Sequence, residues 1–167
     1  MIIEKYTLHK KLLKDGQITF HLVSNDNQSC LAIDSKTRLI YIVKSEEDWL
    51  YVGEAKSSLK KRLQSGFNSY RYYKRTNKKR GGYGGYKWIE LFDENIDKRR
   101  VESLKIIAIL FDESYAEKRE KIEAVEGELV YLIRQETGKW PLFQNEIHFK
   151  NKNKQSFKIA LNIMEKI

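Results

Sequence analysis

The sequence predicts an α+β fold, and three observations carry that expectation. Two short apolar runs, RLIYIVK and WLYVG, are separated by the polar SEED, a spacing that suits an antiparallel hairpin. The stretch SLKIIAILFDE is almost continuously apolar and ends in acids, as a strand buried on both faces reads, and it is expected at the sheet centre. The segments SSLKKRLQSGF and IEAVEGELVYLIRQ instead repeat their apolar residues with the helical period. A chain of 167 residues with one proline, no Ser/Gly-rich tract and no internal repeat is expected to be a single domain, residues 1–167. It can bury a core without disulfides or a structural metal.

Taken in order, LHKKLLK reads as a short helix, and QITFHLV and SCLAI as accessory strands bounded by DG, NDN and DSK turn signals. The two hairpin strands follow, then the helix SSLKKRLQSGF with a serine available as its cap. After the glycine-rich GGYGGY, GYKWIELFDEN reads as a second, shorter helix, and SLKIIAILFDE as the central strand. A long helix is expected from about Lys118 to Thr137, with Gly138 placed to stop it. QSFKIALNIMEKI closes the sequence as an amphipathic helix whose packing stripe is Phe157, Ala160, Leu161 and Met164.

The formal net charge of +9 favours a polyanionic partner, and its distribution says more than its size. Between Arg62 and Glu90 there is no acidic residue, while Arg71, Lys74, Arg75, Lys78, Lys79, Arg80 and Lys87 all lie there. Phe67, Tyr70, Tyr72, Tyr73, Tyr83, Tyr86 and Trp88 are interleaved with them, offering cations for phosphates and flat rings for bases. A solvated basic loop with aromatics packed beneath it is the plainer alternative. One cysteine, Cys30, and three scattered histidines, His9, His21 and His148, exclude a disulfide framework and zinc-type ligand spacing. No apolar run approaches a membrane span, and MIIEKYTLHKKLL is too charged for a secretory signal. A cytoplasmic protein with no membrane partner is expected.

Two charged residues fall close to apolar helix stripes. With Leu59 at zero on a wheel of about 100° per residue, Leu63 falls at roughly 40° and Arg62 at roughly 300°, so Arg62 points toward the sheet side. It either lies along a core edge with its head in water or serves a site there. With Ile122 at zero, Val125, Leu129, Leu132 and Ile133 cluster around roughly 340°; Glu126 falls inside that stripe at roughly 40°, and Glu128 at its edge at roughly 240°. A carboxylate on the buried face needs a partner, which is either a core-edge arginine or a metal or catalytic centre.

LIY (Leu39, Ile40, Tyr41), YVG (Tyr51, Val52, Gly53), the arginine of KKRL (Arg62), the glutamate of VEGELV (Glu126) and the asparagine of PLFQN (Asn145) follow one another on strand, strand, helix, helix and loop. From about Arg38 to Phe149 this ordered set resembles the GIY-YIG nuclease family. The resemblance implies a small central antiparallel three-stranded sheet flanked by helices. It implies a nuclease core at 38–149 with a basic aromatic insert at 67–88, and accessory segments 1–37 and 150–167. Tyr41, Tyr51, Arg62, Glu126 and Asn145 would be the catalytic set, the first four converging on one face. Glu126 would hold one Mg2+ (or Mn2+), and water would attack the phosphodiester.

Leu39 stands where the family's first triplet has glycine, and Gly66 stands one helical turn after Arg62, where members often carry His or Tyr. Tyr70 and His148 are the substitutes for that proton-transfer role. Lys56, after YVG, is a further secondary candidate, and Glu128 is the alternative metal ligand. The expected function is a metal-dependent DNA endonuclease of the restriction or mobile-element kind. The alternative is a catalytically silent nucleic-acid-binding domain of the same fold. The expected partner is double-stranded DNA, met through Arg71, Lys74, Arg75, Lys78, Lys79, Arg80, Tyr83, Tyr86 and Lys87, with a homodimer as an option. Specificity would come from the insert and the two terminal segments. A purely structural partner-binding domain would explain the last helix but not the charge distribution.

Overall fold

The apolar runs become strands of a single sheet. The computed structural model describes residues 1–25, 30–79, 84–93, 101–144 and 153–167. Strands β1 (Ile2–Leu12), β2 (Ile18–Ser24), β3 (Leu39–Lys44), β4 (Trp49–Ala55) and β5 (Ser103–Leu110) pair in the order β2-β1-β5-β3-β4, every neighbour antiparallel. The α+β class is as expected, but the sheet has five strands, not three. The hairpin β3–β4 and the central β5 are extended because β1 takes the other side of β5, from Ile2↔Leu110 to His9↔Ser103.

LHKKLLK is therefore strand rather than helix. Glu4, Tyr6 and Leu8 are buried while Lys5 and His9 are exposed, a period of two set by ladders on both sides of β1. Ladder hydrogen bonds and burial outweigh the local helix preference of Leu and Lys. SCLAI is not a strand either, since residues 31–34 form a turn. The cause is the buried Glu4 carboxylate, which accepts from Leu31 N–H at 2.9 Å, from Ala32 N–H at 2.8 Å and from the Tyr6 hydroxyl.

Helices cover both faces of the sheet, which is why β3 and β5 read as continuous apolar runs. On one face Leu39, Tyr41, Val43, Ile106 and Ala108 pack with α1 (Leu59–Thr76) and a 3₁₀ helix (Lys87–Phe92). On the other, Ile40, Ile42, Val52, Ile107 and Ile109 pack with α2 (Glu113–Ala116), α3 (Arg119–Thr137) and α4 (Lys154–Met164). Gly138 stops α3 with φ +74°, as its position predicts. GYKWIELFDEN forms the short 3₁₀ helix.

α1 runs past Phe67 to Thr76, so the first half of the basic insert is helix. It ends on Asn77, at φ 53°, whose N–H bonds Tyr73 O at 2.7 Å. In α4 the buried residues are Ser156, Ala160 and Ile163, whereas Phe157 and Leu161 are 38% and 37% exposed. The stripe is rotated from the expected one because α4 packs against α3 through Ala160 and Ile163, while a capping box on Asn153 and Ser156 starts the helix.

Candidate active site

Tyr41 of β3 stands opposite Gly53 of β4 in the ladder. The Tyr41 and Tyr51 rings lie 5.9 Å apart, on the α1 side of the sheet. Gly53 is mid-strand, not a turn, and its role is space. A Cβ there would overlap Tyr51 Cε1 and stand 3.1 Å from both Tyr41 Oη and Tyr51 Cζ. Leu39, by contrast, is an ordinary buried strand residue, so the first triplet needs no glycine here.

Arg62 meets these rings from α1. Its Nε–H donates to Tyr41 Oη at 3.2 Å, with the guanidinium carbon 5.9 Å from the centre of the Tyr41 ring. The start of α1 is held in place by backbone: Leu59 N–H bonds Ala32 O at 2.9 Å, Ser58 Oγ accepts from Lys61 N–H at 3.3 Å, and the Ser58 hydroxyl donates to Ile33 O. Because Glu4 clamps that same 31–34 turn, the buried first strand fixes the helix end that aims Arg62. Beside Arg62 an open groove of about 880 Å³ follows the polar side of α1, lined by Lys60, Lys61, Gln64 and Asn68 among others.

Glu126 approaches from α3, in the layer on the opposite face, so the four residues do not share one face of the sheet. Its carboxyl is pushed up to about 8, first by burial and then by the carboxylates of Glu54 and Glu123, with Arg62 and Arg119 pulling the other way. Among the described residues no donor hydrogen-bonds or ion-pairs with that carboxyl. Its acidic neighbours do have partners: Glu54 with Arg38 and, at 3.9 Å, with Arg119, and Glu123 with Arg119 at 2.9 Å.

Such a donor set fits a divalent cation. A carboxyl held proton-bearing by burial and like charge gains from a cation that neutralises it, and among the described residues no hydrogen-bonding or ion-pairing partner competes. No group of three His, Cys, Asp or Glu able to hold a metal occurs among the described residues. An ion would therefore take one protein carboxylate and fill its other positions with phosphate and water oxygens, a mode magnesium favours. Glu128 is only 5% exposed, although the wheel puts it at the stripe's edge. α3 is covered by α4 as well as by the sheet, so more than one side of it is buried.

The remaining sequence candidates separate. Tyr70 is 2% exposed and its hydroxyl donates to Asp93 Oδ2 at 2.7 Å; burial, then Asp93, pushes the phenol far above its usual range. That removes it as a stand-in for the residue missing at Gly66. Lys56 is exposed just beyond β4. Asn145, His148, Arg80 and Tyr83 lie outside the described residues. Gln144, preceding Asn145, accepts Val52 N–H through Oε1 at 3.0 Å, while Leu142 and Phe143 N–H bond Trp49 O and Leu50 O.

The aromatic half of the insert is largely core. Tyr86 is 1% exposed against Tyr70 and Tyr73, and Phe67 packs on Trp88 and Phe92, so these rings are not free for bases. The hydrophobic gain from burying rings of this size outweighs leaving them in water. The cations remain outside: Arg75, Lys78 and Lys79 are exposed and Lys87 half-buried. Arg71 Nη1 donates to Ile18 O at 3.1 Å, and Lys74 pairs with Asp93 at 3.0 Å. No family model, curated protein or solved structure matches the chain. No helix among the described residues is long and apolar enough to cross a membrane.

Sequence reasoning missed Glu4, Glu54, Arg119, Glu123 and Gln144. Three of these had a signal: Arg119 and Glu123 are spaced i,i+4 on a helix, and strand alternation puts Glu54 on the same side as the core residue Val52.

Proposed function

We propose that the chain is a divalent-metal-dependent endonuclease that hydrolyses phosphodiester bonds in double-stranded DNA, of the restriction or mobile-element kind. The observation that carries this reading is the Arg62 Nε to Tyr41 Oη hydrogen bond, made by a guanidinium that also acts electrostatically on the uncompensated Glu126. A core-edge arginine with no task beyond solvation would keep its head in water. Here it is tied to a phenol at the end of a cationic groove.

In this reading Glu126, once deprotonated, would hold Mg2+ or Mn2+, which would supply Lewis-acid stabilisation of the phosphate. Arg62 holds Tyr41 through Nε–H and would bring its positive charge to the phosphoryl oxygens, where negative charge builds in the transition state. A donated hydrogen bond from a cation stabilises a phenolate over a phenol; Tyr41, with Tyr51 packed beside it, would first release its own proton to solvent and then, as phenolate, take up the proton of the attacking water. Asn145 completes the set, following the segment that Gln144 fastens to β4.

A second reading, a silent DNA-binding domain, is favoured by Gly66 together with the locked Tyr70. Incubating the purified protein with supercoiled plasmid and short duplexes, with magnesium and with chelator, separates the two. Magnesium-dependent nicking or linearisation supports the nuclease; duplex binding with no cut product under either condition supports the binder.

A further inference from the structure

The β1–β2 hairpin outruns the sheet. β1 pairs with β5 only as far as His9↔Ser103, with one more backbone bond from Lys10 N–H to Glu102 O at 3.1 Å, whereas its pairing with β2 continues to Leu12↔Ile18. Beyond His9 the hairpin continues as a short two-stranded ribbon, Lys10–Leu12 against Ile18–Phe20, roughly 10 Å long at about 3.4 Å per strand residue and closed by the turn at 13–17. Ile18 and Phe20 pack toward α1, and Leu12, Gly16 and Gln17 flank a cleft beside it. The tip is organised by its own bonds. Leu13 N–H bonds Gln17 O at 2.8 Å, Gly16 N–H bonds Leu13 O at 2.9 Å with Gly16 at φ +77°, and Asp15 accepts from the Gln17 backbone at 3.1 Å and its amide at 2.8 Å.

On this ordered tip Leu12 and Leu13 are 58% and 41% exposed, between Lys11 and Lys14. Adjacent exposed leucines amid lysines suit a partner that is anionic at its rim and apolar within. The base of the ribbon is joined to α1 by the Arg71 bond to Ile18 O. A cleft of about 500 Å³ lies at that junction, where Lys10, Arg71, Lys74 and Arg75 outnumber Asp15 and Asp93. α1 leads from this junction to Arg62, nine residues or roughly 14 Å away at about 1.5 Å per residue.

We propose that the β1–β2 hairpin tip is the sequence-reading element of the molecule, entering the major groove of double-stranded DNA while Lys10 and Arg75 hold flanking phosphates. The inference rests on the DNA-endonuclease reading and adds where base specificity resides. The major groove, about 12 Å wide and about 8.5 Å deep, admits a two-stranded ribbon of this reach. Lysine ammonium groups donate to guanine O6 and N7, and leucine methyls meet the thymine methyl. The A-form major groove of duplex RNA is too narrow for the ribbon, so duplex RNA is not read this way.

The test uses binding, with chelator present so that cleavage plays no part. A pool of random-sequence DNA duplexes is enriched by repeated retention on the full-length protein, on L12S/L13S and on K11A/K14A, and each enriched pool is sequenced. The parent is expected to enrich a motif. L12S/L13S should bind unselected duplex within about twofold of the parent and lose the motif. K11A/K14A should lose the guanine positions of the motif, and a K11A/K14A pool that keeps those positions overturns the assignment. Enrichment of the parental motif by L12S/L13S, or absence of any motif from a parent that binds and cuts DNA, overturns the hairpin assignment alone. A parent that retains no duplex overturns it together with the endonuclease reading. All four substituted residues are exposed, and a thermal melt equal to the parent's shows that the fold is kept.

Discussion

Tyr41 and Tyr70 are both 2% exposed and both pack against the α1 side of the sheet, yet their hydroxyls face opposite charges. Tyr41 accepts a hydrogen bond from the Arg62 guanidinium; Tyr70 donates one to the Asp93 carboxylate. In the second arrangement burial and Asp93 hold the proton on the phenol. Equal burial therefore goes with opposite hydrogen-bond roles, an acceptor beside a guanidinium and a donor beside a carboxylate. Lys74, which could have met DNA, completes the second arrangement by neutralising Asp93.

The comparison can be broken in several ways. The largest effect is expected at Glu126: Glu126→Ala should abolish metal-dependent plasmid cleavage, whereas Glu128→Gln should cut at near the parental rate if its fold holds. Full cleavage by Glu126→Ala would remove the carboxylate from the mechanism. Next, Arg62→Ala should lower the single-turnover rate about a hundredfold, the scale of losing one preorganised charge stabiliser, with a smaller change in duplex affinity. Tyr70→Phe should change that rate by no more than a few-fold. If Tyr70→Phe proves as damaging to single-turnover cleavage as Arg62→Ala, the contrast between the two phenols fails.

Stability sharpens the same contrast. Tyr70→Phe leaves Asp93 without its buried donor and should cost about 1–3 kcal/mol, read from the urea midpoint. Glu126 has a folded value of about 8 against an ordinary value near 4.5, so in chelator the folded state keeps a proton that the unfolded state has lost. Stability should fall as pH rises through that window, and Glu126→Gln should flatten the fall. The smallest effect belongs to Gly66, where an added Cβ would meet only Ile89 Cδ1 at an ordinary 3.7 Å. Gly66→Ala should raise stability by about 0.5–1 kcal/mol, measured by denaturant titration.

The sequence made legible what depends on local period. The hairpin, the buried β5, the Gly138 stop and the inward turn of Arg62 all follow from spacing along a few turns or strand residues. What depends on distant partners was not legible. In LHKKLLK, Leu8 and His9 gain a second ladder from β5, about a hundred residues later, while the strand from Lys10 to Leu12 is held by β2 alone. Tyr86 and Trp88 look like exposed stacking platforms until α1 lengthens to Thr76 and gives Phe67, Tyr70 and Tyr73 to cover them. Nothing in YVG tells what Gly53 is for, and only the facing tyrosines reveal that it makes room. Glu54 gains its importance from Arg119 and Glu126, which the sequence places on a later helix.

The strand order also governs how the chain assembles itself. β1–β2 and β3–β4 are neighbours in sequence and close as separate hairpins, but nothing joins them until β5 slides between β1 and β3. Until residues 103–110 arrive, each hairpin presents an unpaired edge, and Ser103 comes 79 residues after the end of β2 at Ser24 and 48 after the end of β4 at Ala55. Pairings of such long sequence separation make folding slow and leave its intermediates open to aggregation. Any fragment that stops short of Ser103 retains the Tyr41–Tyr51 hairpin and the β1–β2 hairpin but has no strand to unite them.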